Sequence, residues 1–115
     1  MKFNTNDYKL SLFTENVCED CSKIKDILKN NNISFSDKSI TKGSKTNDNN
    51  RWDFIDAERE NNGFNWFTPV LIIEDSEGNT TYIPSVQDTV NCDDGLCIND
   101  VTSENVLKLL KPYFK

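Results

Sequence analysis

Within about twenty residues the apolar period of this chain changes, and the change falls on a pair of cysteines. Tyr8, Leu10 and Leu12 alternate with Lys9 and Ser11, the two-residue period of a strand. Val17, Cys21, Ile24 and Leu28 then follow at intervals of four, three and four, which is one face of an amphipathic helix. A strand therefore runs into a helix through the segment holding Cys18 and Cys21, and the Asn30-Asn31-Asn32 run ends that helix.

The remaining segments continue the alternation. Ile33 and Phe35 open a second strand that fades toward Ile40, and T-K-G-S-K-T-N-D-N-N after it reads as a polar loop. Trp52 and Ile55, three apart, predict a short helix stopped by Gly63. Phe67-Thr68-Pro69 leads into Val70-Leu71-Ile72-Ile73, an unbroken apolar run expected of a strand buried on both faces. Asp75 to Asn79 supplies a turn with Gly78 available for positive φ, and Thr80 to Ile83 returns as an antiparallel partner. Ser85 to Asp100 is irregular. Thr102 or Ser103 caps a last helix with Val106, Leu107, Leu110 and Phe114 inward and Pro112 limiting its final turn. The order strand, helix, strand, helix, strand, strand, helix makes an α/β sheet of two or three layers.

Size and charge narrow the function. The 115 residues make one domain with a core that needs no disulfide to fold, so the four cysteines are not explained by stability. A net charge of -6 with no basic run argues against nucleic acid and anionic membranes. No apolar stretch is long enough for a signal peptide or a bilayer span, so the cytoplasm is expected, and close cysteine pairs there are redox or metal groups more often than staples. The chain has no histidine, which removes Ser/His/Asp and Cys/His nucleophile schemes and every zinc site that needs an imidazole.

Cys18 sits at the strand-helix junction, where free backbone N–H groups and the positive helix end stabilise a thiolate and bring its pKa below the free value of about 8.5. Cys21, inside the first turn, can reach back to resolve a mixed disulfide. Glu19 and Asp20 suit the helix dipole but oppose a negative sulfur, so the thiol is expected to be less acidic, and the couple more reducing, than with neutral neighbours.

With C-x-x-C after the first strand, this element order, and Thr68-Pro69 opening the third strand, the chain resembles the thioredoxin superfamily, and the glutaredoxins most, over nearly its whole length. The resemblance implies a thioredoxin-like β-α-β-α-β-β-α fold around a mixed four-stranded sheet. It implies one domain over residues 1–115 with an inserted cysteine loop at about 85–100. It also implies Cys18 as nucleophile, Cys21 as resolving cysteine, and Thr68 with a cis Pro69 as a substrate-docking loop. Phe13 and Phe67 are candidates for the groove or for plain core.

The chain departs from the glutaredoxin pattern in ways that bear on glutathione more than on dithiol exchange. Glu-Asp replaces Pro-Tyr between the cysteines, and no basic residue stands shortly before them. Ile83-Pro84-Ser85 runs into a longer segment where glutaredoxins have a Gly-Gly turn, and Asp100 matches only loosely their glutathione-gripping acid. Lys23 and Lys25 are positioned for a carboxylate but read better as solvated helix charges.

Besides free thiols, Cys92 and Cys97 admit three readings: a local disulfide, a second redox couple exchanging with the first, or a zinc site of all four cysteines. The expected function is reduction of protein or glutathione mixed disulfides by a monomer. No tightly bound cofactor and no metal at the redox pair are expected, and glutathione is a candidate reductant. The alternative is a non-catalytic binding module, stapled or zinc-bound, that presents the polar Ser39 to Asn50 segment to a partner.

Overall fold

A computed structural model describes residues 2–61, 66–85, 97–98 and 100–115. Strand β1 (Tyr8–Thr14) is followed by α1 (Glu19–Asn30), β2 (Ser36–Ser39), α2 (Lys45–Glu60), β3 (Phe67–Asp75), β4 (Thr80–Ser85) and α3 (Ser103–Leu110), with a 3-10 turn over Lys111–Tyr113. The four strands form a mixed sheet in the order β2-β1-β3-β4. β1 runs parallel to β2, while β3 is antiparallel to both β1 and β4.

The two-residue period of β3 divides the hydrophobic interior in two. Leu71 and Ile73 face the larger cluster, with Leu10 and Leu12 of β1, Ile24 and Leu28 of α1, and Val106 and Leu110 of α3. Val70 and Ile72 face the other side, with Phe13 and with Ala57 of α2. The molecule is thus three layers: α1 and α3 on one face of the sheet, α2 on the other. The apolar run 70–73 is continuous because both faces of β3 are covered.

Three expectations need correction. Ile33 and Phe35 alternate but lie outside β2: Asn32 takes a positive φ of 57°, and the Ile33 N–H donates to the Leu28 carbonyl at 2.9 Å, closing α1 instead of joining a ladder. The polar stretch expected to be a loop holds the first turns of α2. Ser44 caps that helix by accepting the Asn47 N–H at 3.0 Å, so it is sixteen residues long, not short. Its contact face carries Phe54 and Ala57, whereas Trp52 is 64% exposed; the Trp52–Ile55 spacing marked a helix but not its buried side. Asn61 caps its C-terminal end, and Gly63 lies outside the described residues.

The third correction bears on the cysteines. Val17 is 94% exposed and precedes α1, so the buried stripe is Cys21, Ile24 and Leu28. The N-cap is Cys18 itself.

Candidate active site

Strand pairing brings the two halves of the site together. β1 and β3 are antiparallel with Phe13 opposite Val70, so the chain leaves β1 toward the cysteines beside the point where β3 begins at Phe67-Thr68-Pro69. The Thr68–Pro69 peptide bond is cis. Cys18 Sγ lies 3.5 Å from the Thr68 carbonyl oxygen. Two segments fifty residues apart thus meet at one sulfur.

At the α1 N-terminus, Cys18 has extended backbone angles (φ -101°, ψ 107°), and its sulfur accepts the Cys21 N–H at 3.0 Å. A sulfur here does what a Ser or Asp oxygen does at most helix starts, satisfying one of the four free N–H groups. The same hydrogen bond and the helix dipole stabilise negative charge on Cys18 Sγ when the pair is reduced. Cys18 and Cys21 are joined as a disulfide, with Cα atoms 5.2 Å apart. Cys18 is half-buried and Cys21 is 1% exposed, so of the two residues it is Cys18 that presents surface to a solute.

Several polar contacts frame the pair. The Thr68 hydroxyl donates to Glu15 Oε1 at 3.4 Å, and the Glu15 carbonyl accepts the Cys18 N–H at 3.4 Å, so Glu15 links both segments. The Ser85 hydroxyl donates to the Pro69 carbonyl at 2.7 Å, and the β3–β4 register shifts between Phe67 and Leu71, where Pro69 has no N–H for the ladder. Behind the site, buried Thr14 hydrogen-bonds Asp37, and Lys25 Nζ meets the same carboxylate at 2.6 Å, tying α1 to β1 and β2.

The other named residues fall as follows. Phe67 is 41% exposed at the site margin, while Phe13 is fully buried on the α2 side, stacked against Tyr82 and edge-on to Phe54. Lys25 is committed to Asp37, and Lys23 lies 3.9 Å from both Glu19 and Asp20. Asp100 is exposed ahead of α3, where its carbonyl accepts the Thr102 N–H and the Asn105 side-chain amide; among the described residues no hydrogen bond joins it to the cysteine pair. Cys97 is buried, and no described cysteine is a free thiol; Cys92 lies outside the described residues. Among the described residues no cluster of metal-ligating side chains is found, and no helix is long and apolar enough to cross a membrane.

Glu15 and Ser85 carry site contacts that the sequence reading passed over. Ser85 pairs with Phe67, not Pro69, because the ladder shifts between Phe67 and Leu71, so counting the hairpin register back from the turn does not find its bond to the Pro69 carbonyl. No local signal marks Glu15, because its partner is 53 residues away.

An α1 N-terminus bearing C-x-x-C, set against a cis-proline strand start on this four-stranded sheet, defines a thioredoxin-like fold. A structural counterpart is the crystal structure of a mutant of the thioredoxin-like protein BC3987, which superposes with a TM-score of 0.50 over 89% of this chain and 99% of that one, at 17% sequence identity. No family model matches the sequence, and no curated protein is significantly similar to it.

Proposed function

We propose that the protein is a thiol-disulfide oxidoreductase, glutaredoxin-like in mechanism, that reduces disulfides of proteins or mixed disulfides with glutathione. The observation that carries this reading is the unequal exposure of a bonded C-x-x-C pair whose outer sulfur abuts the Thr68 carbonyl. In the reduced protein the Cys18 thiolate attacks one sulfur of the substrate disulfide. A mixed disulfide forms and the first substrate thiolate leaves, taking a proton from solvent. The Cys21 thiolate, formed by loss of its proton to solvent, then attacks Cys18 Sγ, restoring the Cys18–Cys21 bond and releasing the second substrate thiolate. Two electrons pass to the substrate, and an external thiol must return them before the next cycle. The Thr68 backbone beside the sulfur offers an extended segment its hydrogen-bonding groups while the exchange proceeds. In this reading the protein works as a monomer in the cytoplasm.

Equilibration against glutathione buffers, with modified cysteines mapped by mass spectrometry, tests this. Cys18 and Cys21 should titrate as one two-electron couple, at or below the range of roughly -270 to -200 mV spanned by thioredoxin and glutaredoxins. Cys18→Ser should abolish disulfide reduction. Full turnover by that variant overturns the proposal.

A further inference from the structure

The surface around Cys18 pairs exposed apolar groups with uncompensated negative charge. Val17, 94% exposed, precedes the outer cysteine, and Phe67, 41% exposed, precedes the Thr68 that touches its sulfur. Large side chains left in water on either side of a reactive group gain by covering one another with a partner's apolar residue. Glu15 reaches the same place through Thr68, and Glu19 and Asp20 occupy the two positions between the cysteines. Among the described residues, the charged groups beside Cys18 are Glu15 from the β1–α1 segment, Glu19, Asp20 and Lys23 from α1, and Lys42, which follows the Thr41 whose hydroxyl accepts the Asn16 N–H; the adjoining β3 segment, Phe67 to Pro69, adds none. Lys23 stands 3.9 Å from two acids at once, and among these described residues the three acids outnumber the two lysines, so the surface keeps a net negative charge.

Resting on the oxidoreductase reading, we propose that this surface selects disulfides in protein segments that carry lysine or arginine beside an apolar residue, and repels the disulfide of glutathione. Glutathione disulfide has four carboxylates and two ammonium groups at neutral pH. It brings negative charge to an acidic surface and has no apolar side chain to cover Val17 or Phe67. A cationic segment with a leucine or similar residue next to its cysteine satisfies both features, with its backbone against Thr68. The selectivity acts on approach of the substrate and is screened by salt.

The test is single-turnover reduction by the fully reduced protein, quenched by alkylation and read by mass spectrometry. Three oxidants are compared: a short peptide closed by its own disulfide and flanked by Lys-Leu, the same peptide flanked by Glu-Leu, and glutathione disulfide. At about 0.02 M ionic strength the basic peptide should react on the order of tenfold faster than the acidic one, converging toward about 1 M. The glutathione disulfide rate should rise with salt while the basic peptide rate falls, a comparison independent of intrinsic reactivity. The double change Glu19→Gln, Asp20→Asn leaves Glu15 on Thr68 and alters thiolate content equally for all three oxidants, so narrowing of the ratio between the peptides reports the surface charge. Equal peptide rates, or the same salt response for all three, overturn the selectivity and leave the oxidoreductase intact. Failure to reduce any of the three overturns both.

Discussion

Cys18 and Cys21 have the same chemistry and different surroundings, and the proposed roles follow the surroundings. The outer sulfur accepts the Cys21 N–H and faces Thr68, whereas the inner one is packed under the first turn of α1. Cys21→Ser should therefore leave the first attack intact but remove resolution, so that incubation with a disulfide substrate accumulates a mixed disulfide at Cys18. Intact-mass measurement with peptide mapping checks this, and an adduct at any other residue contradicts it. At this scale the pair was legible in the sequence because a change of period marks a strand-helix junction regardless of what lies elsewhere. Glu15 was not legible, since its role depends on a contact with Thr68 that only the folded chain creates. Phe13 could be core or groove in the sequence, and only its burial among Phe54 and Tyr82 decides.

Among the elements, caps and turns decide where helices and strands begin. The Ser44 hydroxyl holds the α2 start, and Ser44→Ala should cost about 1 kcal/mol of stability, read as a lower urea midpoint at unchanged slope. The β3–β4 turn is organised by Asp75, whose carboxylate accepts the Asn79 N–H and the Glu77 N–H, each at 2.9 Å, and the Asn79 amide at 3.1 Å. The Asn79 backbone first, then its side chain, hold the Asp75 carboxyl below the usual value of 3.8. A group depressed on folding contributes stability that is complete above its unfolded pKa and is lost as pH falls through the folded value. Thermal melts of Asp75→Asn against the parent should thus differ near neutrality and converge as pH falls below 3.8 and through the lowered folded pKa, and a constant difference down through that fall refutes the assignment. Tyr82 acts with the opposite sign at the other end of the scale: burial, and then Glu60, Asp53 and Glu74, raise its pKa above 10.0. Its contribution is complete below the unfolded pKa and fades as pH rises through the folded one. The sheet strands were legible from their periods, and the hairpin from its turn residues. The start of α2 was not, because a run of Asn, Asp, Lys and Thr carries loop composition and becomes helical here through a cap and through tertiary contacts further along.

Taken as a whole, the molecule keeps its chemistry on one face and little of its cohesion on the other. α1 and α3 share the larger cluster with Leu10, Leu12, Leu71 and Ile73, and α1 is also pinned by Lys25 to Asp37. α2 buries Ala57 fully and packs through Phe54, and its polar ties include the Asn50 amide to the Ser39 carbonyl at 3.0 Å, Lys38 to Asp53 at 3.2 Å and the Trp66 N–H to Glu58 at 2.9 Å. Of α1 and α2, α2 is then expected to open the more easily. Native-state hydrogen exchange should show the amides of Lys45–Glu60 exchanging through a local opening well below the global unfolding free energy, while those of Ile24 to Leu28 exchange only with the whole. Uniform protection of both helices would contradict this. One outcome of such a partition is a scaffold whose back layer is free to drift in sequence, or to be cut and resealed, while the layer that holds Cys18 keeps its register.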